Sequence, residues 1–217
     1  LASIGATGDG GVNRPTFSES HLAARKWFRN EIENSGFKFR MDGAGNHSAF
    51  LESLVIARAT ARSNLQHGEE IASQKTFAMT PTLLIGSHLD SVPNGGRFDG
   101  ALGVMAALEV LRTIKESRTN LKLNLEAIDF TDEEGTYLSL LGSSAIAGHL
   151  SQTDLQNPYS GRENFSTELT RVGLTEESLL HAGRSKESIA GYLELHIEQG
   201  KRLEHAGIDI GIVSAIV

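Results

Sequence analysis

The run Gly86-Ser-His-Leu-Asp-Ser-Val-Pro-Asn-Gly-Gly-Arg-Phe-Asp-Gly100 narrows the possible folds more than any other part of the chain. It is dense in turn-forming Gly, Pro and Asn. The apolar run Thr82-Leu-Leu-Ile precedes it, and Ala101-Leu-Gly-Val-Met-Ala-Ala-Leu-Glu-Val-Leu follows it. The first reads as a buried strand. The second reads as a helix, because its apolar residues recur at helical spacing. Strand, tight loop and helix in that order build α/β sheets, where ligands and reacting groups gather at the carboxyl ends of strands. The loop puts His88, Asp90 and Asp99 at such an end. Imidazole and carboxylates there point to a metal or a reacting substrate, since buried charge is costly unless paired or metal-bound.

A chain of 217 residues suits one large domain, or a domain and part of another. The net charge of −7, with no block of Lys or Arg, argues against a nucleic-acid partner. No apolar run approaches the ~20 residues that span a bilayer, so a membrane partner is not expected either. The chain has no cysteine. Disulfides, thiolate metal sites and cysteine nucleophiles are therefore excluded, and a reducing, cytoplasmic location is expected. The chain starts at Leu1 rather than Met, and Ile210-Gly-Ile-Val-Ser-Ala-Ile-Val217 reads as a buried strand cut short. The expectation is that sequence continues past Val217.

Residues 5–15 are Gly-rich but follow no strand, so they read as a loop rather than a phosphate cradle. Thr16-Phe-Ser-Glu19 has capping-box spacing, which predicts a helix carrying Ala24, Trp27, Phe28 and Ile32 and closed by Gly36. Phe37–Met41 alternates as a strand, 42–46 is a turn and 48–51 the return strand. Residues 52–80 have no clear period and read as a surface insertion. A strand is expected over 121–130, a helix over 138–149, loop over 150–170 and a helix from Thr175. A strand over 192–197 and a short helix over 199–205, ending at Gly207, complete the pattern. Alternating strands and helices predict an α/β sheet with helices on both faces.

Acid or imidazole groups recur where strands end: His88/Asp90/Asp99, Asp132-Glu133-Glu134-Gly135 and His196/Glu198. Such a set suits a two-metal hydrolytic site, with one carboxylate left free to take a proton from water. His21, His47, His67, His149, His181 and His205 lack partners at metal-site spacing and read as ordinary partly buried or surface histidines. Asp132 reads as a solvated acidic turn. Asp99 is open to a second reading as the cap of the following helix. Gly95 and Gly96 are read as backbone-conformation glycines that let the loop fold tightly.

The runs around His88 and Asp99, Thr-Asp-Glu133-Glu134-Gly, Leu-His196-Ile-Glu-Gln199-Gly and the opening Gly5-Ala-Thr-Gly-Asp-Gly-Gly resemble the M20 metallopeptidase superfamily. Within it they resemble the hydantoinase/carbamoylase branch of N-carbamoyl-L-amino-acid hydrolases, allantoate amidohydrolases and β-ureidopropionases. The His at 196, where the carboxypeptidases carry a carboxylate, favours this branch. The resemblance implies a zinc-peptidase-like mixed sheet and two divalent ions, Zn²⁺ first, with Mn²⁺ or Co²⁺ compatible. It implies Asp99 as the bridge, His88 and His196 on one metal, and Glu134 on the other. Glu133 becomes the general base that activates the attacking water, Asp90 the carboxylate that orients His88, and Gln199 a substrate-facing or supporting residue. The substrate would be a small ureido or carbamoyl compound, its carbonyl carbon attacked by the water with release of ammonia and CO₂.

Family members run to about twice this length. The resemblance therefore makes residues 1–217 the N-terminal part of the catalytic domain. The rest of that domain, with a further metal-binding His, and a lid and dimerisation domain lie outside it; the full-length form is expected to be a homodimer. Tyr137-Leu138 stands where the family often has Arg-Phe. Two other readings stay open: a truncated, inactive metal-binding fragment, or an M20 dipeptidase or aminoacylase.

Overall fold

A computed structural model describes residues 1–53 and 80–214. Five strands, β1 (Lys38–Met41), β2 (His47–Leu51), β3 (Thr82–His88), β4 (Asn124–Phe130) and β5 (Ile189–Leu193), form one sheet in the order β1-β2-β4-β3-β5. The β1–β2 and β2–β4 pairs are antiparallel, whereas β3 runs parallel to both β4 and β5. The mixed sheet expected from the resemblance is thus the observed one. The β1–β2 turn is held by Asp42, whose Oδ1 accepts the N–H groups of Ala44 and Asn46 at 2.9 and 3.0 Å.

Helices cover both faces. On one, α1 (Glu19–Asn34) and α2 (Ala101–Ser117) place Phe28, Ile32, Val104, Leu108 and Leu111 against Leu125 and Ala127 of β4. Alternate residues of β4, Ile128 and Phe130, meet Leu84 and Ile146 of α3 (Leu141–Ile146) on the other face. This two-residue period is what a strand buried on both sides requires. Gly86 pairs with Ile128 of β4, and a Cβ there would sit 1.9 Å from the Ile128 carbonyl oxygen.

Beyond α3 the segment expected to be loop over 150–170 is largely helical. It holds α4 (Gln152–Gln156) and α5 (Arg162–Arg171), followed by α6 (Glu176–Leu180). Ser151 and Asp154 form a capping box that starts α4, and Phe165 and Leu169, one turn apart on α5, are buried with Leu155, Leu179 and Tyr137. Short polar helices with one or two buried residues each escape a periodicity reading. The helix expected over 138–149 is only α3, the expected strand over 121–130 begins at Asn124, and the strand expected over 192–197 is β5, which begins earlier and leaves His196 in the loop beyond. The short helix before Gly207 is α7 (Arg202–Ala206).

Two expectations about chain ends are corrected. Ser18, not Thr16, caps α1, its side chain accepting the His21 N–H. Gly36 follows the helix with φ +68, as expected of a C-terminal glycine. Ile210–Ser214 form no strand, and Ile212 is 97% exposed. Residues 215–217, like 54–79 of the expected insertion and His67 within it, lie outside the described residues. Among the described residues no helix is long and apolar enough to cross a membrane.

The first described residues form an arm that turns back on itself through the Ala6–Val12 bridge and then runs along the Gly86–Gly100 loop from Val12. The Val12 N–H donates to the Gly95 carbonyl at 2.9 Å and the Ser91 N–H to the Arg14 carbonyl at 3.0 Å. Arg14, fully buried, donates its backbone N–H to Ser91 Oγ and its Nε–H to the Leu89 carbonyl, both at 2.9 Å. The Gly-rich opening is therefore a brace for the loop.

Candidate metal centre

Parallel pairing of β3 with β4 and β5 brings the three acid-bearing segments side by side. His88 is the last residue of β3 and pairs with Phe130, the last of β4. Asp132–Glu134 follow β4, and His196 lies three residues past the end of β5. Metal-ligating atoms of His88, Asp99 and His196 lie within 4.8 Å of one another, and so do those of His88, Glu133 and Glu134. His88 is the shared member.

Both imidazoles are turned by backbone carbonyls. His88 Nδ1 lies 3.0 Å from the Asp90 carbonyl oxygen, and His196 Nδ1 lies 2.9 Å from that of Ile197. Each carbonyl can only accept, so each Nδ1 carries the proton and each Nε2 faces the site. His196 Nε2 is 3.1 Å from Asp99 Oδ1, and His88 Nε2 is 3.4 Å from Glu133 Oε2. The rings stack with centroids 6.0 Å apart. Gln199 donates from Nε2 to Asp99 at 3.3 and 3.1 Å. Asp99 takes no capping role: Gly100 is the N-cap of α2 and makes no side-chain cap bond.

The carboxylate of Asp90 does less for His88 than expected, because its Oδ1 is 3.6 Å from Nδ1, outside hydrogen-bond range. It instead accepts the N–H groups of Glu133 and Glu134 at 3.4 and 3.1 Å. Asp132 corrects the sequence reading more sharply. It is fully buried, its φ is +54, and its carboxylate accepts the N–H groups of Thr136, Tyr137 and Leu138 at 2.7, 2.9 and 2.7 Å. The Glu133–Glu134 pair is thus slung between two buried carboxylates. Gly135, three residues on, was the sequence signal of a turn tight enough to need an internal acceptor.

Glycine is required where the loop enters α2. Gly100 has φ +61, and a Cβ there would stand 2.5 Å from Cδ2, Cε1 and Nε2 of His88. Gly95 and Gly96 have no positive φ; the left-handed residues of the loop are Asn94 and Gly100. Gly100→Ala should displace the His88 ring and weaken divalent-ion binding by roughly 10–100-fold, the usual cost of disturbing a ligand's support. Metal titration of the variant checks this, and unchanged affinity would refute it.

Burial alone would depress the His88 pKa, but Asp90 and Glu133 beside it prevail and push it up to about 9. Burial raises Glu133 and Glu134, each opposed by His88, and each is raised further by neighbouring carboxylates. Among the described residues the only cationic partners within ion-pair reach of Asp99 and Glu133 are histidines. A half-buried cluster of carboxylates around two inward imidazole nitrogens has surplus negative charge, which holds a proton on His88 and which a divalent cation in its place would also balance. That donor set fits a divalent cation.

Glu198 is not part of this cluster; its carboxylate accepts the N–H groups of Arg202 and Leu203 at the start of α7. His21 is fully buried, its Nδ1 accepting the Phe17 N–H at 2.9 Å, rather than partly exposed as expected. Beneath the site Arg25 donates to the Gly45 carbonyl and Thr131 Oγ1 at 2.9 and 3.0 Å. Its Nε lies 2.8 Å from Asp129 Oδ2, off the line of a regular hydrogen bond, so that contact is mainly coulombic.

The profile of peptidase family M20/M25/M40 matches residues 84–216. The N-carbamoyl-L-amino acid amidohydrolase of Geobacillus stearothermophilus is 34% identical over all of this chain and 48% of its own length. The allantoate amidohydrolase of Bacillus subtilis (strain 168) is 33% identical over all of this chain and 47% of its own. A crystal structure of a hydantoinase/carbamoylase family amidase from Burkholderia ambifaria superposes with a TM-score of 0.72 at 31% identity, over 95% of this chain and 44% of that one. The chain spans about half the length of the curated relatives it matches.

Proposed function

The chain belongs to peptidase family M20/M25/M40, and on that premise we propose that its natural protein is a metal-dependent amidohydrolase of the hydantoinase/carbamoylase type. Its substrate is a small N-carbamoyl amino acid or an allantoate-type ureido compound, cleaved at a linear C–N bond. The convergence of His88, Asp99 and His196 with Glu133 and Glu134 carries this reading. His196, rather than a carboxylate, supports the carbamoylase branch over a dipeptidase or aminoacylase.

His88, Asp99 and His196 would hold one divalent ion, and Asp99 and Glu134 would contribute to a second. Zn²⁺ suits the donors first, with Mn²⁺ and Co²⁺ compatible. When bound, such ions supply Lewis acidity, which lets water ionise near neutral pH and stabilises developing oxyanion charge. Glu133 takes the proton of the attacking water and returns it to the leaving nitrogen. Its raised pKa suits that exchange, since a base working near neutral pH must also give the proton back. Asp90 and Asp132 hold the backbone from which Glu133 projects, and Gln199 steadies Asp99. We place the protein in the cytoplasm because the chain has no cysteine, and read its full-length form as a homodimer from the family resemblance.

The test is a substrate panel with the full-length protein: N-carbamoyl, ureido, N-acyl and dipeptide compounds, before and after chelation. Carbamoyl or ureido cleavage is expected, lost on chelation and regained with Zn²⁺, Mn²⁺ or Co²⁺. Cleavage of dipeptides alone moves the protein to another branch, and activity indifferent to chelation refutes metal dependence.

A further inference from the structure

Thr16 has the spacing of a helix cap but does not serve as one, since Ser18 caps α1. It is 2% exposed and lies at the end of the N-terminal arm, where it meets both segments that shape the Glu133–Glu134 turn. Its N–H donates to Thr136 Oγ1 at 3.0 Å, and its hydroxyl donates to Asp90 Oδ2 at 3.0 Å. The hydroxyl also lies close to the Asp132 carboxylate, where it favours the charged form, while the Asp90 charge opposes it.

Thr16 therefore sits between two like-charged groups that jointly set the turn. Asp90 holds the N–H groups of Glu133 and Glu134, and Asp132 holds those of the three residues from Thr136 to Leu138. Both carboxylates are fully buried, so their repulsion is weakly screened. A hydroxyl carries one proton, and here Asp90 receives it. Losing it would leave a buried carboxylate oxygen without one of its donors, and would release the arm's hold on the turn.

We propose that Thr16 is a positioning residue for the Glu133–Glu134 pair, its hydroxyl fixing Asp90 against the backbone N–H groups that determine where Glu133 points. The catalytic consequence rests on the amidohydrolase reading above; the structural consequence does not.

The experiment compares Thr16→Val and Thr16→Ser in the full-length protein, by amide hydrogen exchange of peptides covering 131–138 and by steady-state kinetics on the best carbamoyl or ureido substrate. In Thr16→Val the Glu133 and Glu134 amides should exchange about tenfold faster, as loss of a charged hydrogen bond implies. Its kcat should fall roughly 10–100-fold with KM little changed, the scale of a lost supporting contact. Thr16→Ser keeps the hydroxyl and should restore both. If Thr16→Val yields no folded protein, Thr16→Ala carries the same comparison. Exchange and kcat both unchanged in the hydroxyl-free variant overturn the proposal, as does Thr16→Ser failing as badly as Thr16→Val. If the unmodified protein cleaves no member of the panel, the amidohydrolase reading fails. Exchange then still decides: acceleration that serine reverses supports the positioning role, and no acceleration overturns it.

Discussion

Glu133→Gln should lower the kcat of the full-length protein by on the order of 10²–10⁴, the contribution of a well-placed general base. The amide keeps the shape of the side chain and its place opposite His88 Nε2, but it cannot hold a proton taken from water. The structure makes a second assay necessary, because Glu133 also lies within ligand distance of His88 and Glu134. If Glu133 is the base, the variant should retain its divalent ions while losing turnover. If it is mainly a ligand, ion content and turnover should fall together. Metal analysis beside the kinetics separates the two, and unchanged turnover would remove Glu133 from the mechanism.

The second large effect is on stability. Arg25→Ala should cost about 3 kcal/mol, the low end of the range for breaking a buried ion pair. Asp129 is fully buried, and Arg25 is its contacting cation. The variant would also release the Gly45 carbonyl and Thr131 hydroxyl. Two features keep the cost at the low end. Arg14 also interacts coulombically with Asp129. Burial already pushes the Asp129 carboxyl up, to about 6 despite Arg25, so protonation offers it an escape. Denaturant unfolding of the full-length protein measures the loss. The double variant Arg25→Met/Asp129→Leu should recover much of it, since a neutral pair leaves no orphaned charge. A loss under about 1 kcal/mol for Arg25→Ala would mean that the pair is not needed.

The parts of the site that were legible in sequence sit on strand ends. His88, Glu133, Glu134 and His196 lie at or just past the ends of apolar runs, where polar chemistry has few structural excuses, and Asp99 shares a turn-dense loop with His88. What stayed hidden is of a different kind. Asp132, Thr16, Arg14 and Arg25 are polar residues whose burial depends on partners tens of residues away, and local pattern alone reads polar letters as solvated. Thr16 has the local spacing of a helix cap, but its hydroxyl turns to Asp90, 74 positions away, a choice that only the three-dimensional arrangement decides. In the sheet, β4 was anticipated because its apolar residues leave little choice. The start of β5 was missed because Ile189-Ala-Gly-Tyr-Leu193 contains a glycine and small residues that blur the alternation. Helices α4 and α5 are too short and too polar to show a period, and declare themselves only through the Ser151–Asp154 box and the buried Phe165 and Leu169.

The arm that braces the metal-site loop gives the chain an order of events during its own synthesis. Arg14 and Thr16 leave the ribosome before the distant segments they bind exist. Arg14 must wait for Ser91, 77 positions later, and Thr16 for Thr136, 120 positions later. At ordinary rates of translation that second wait lasts about 6–24 s, far longer than the microseconds in which a loop or hairpin closes. Until Ser91 emerges, Arg14, which ends fully buried, remains a solvated cation. The turn bearing Glu133 and Glu134 can acquire its final shape only when Thr16 docks against it, so this part of the candidate site is completed by a segment made well before it.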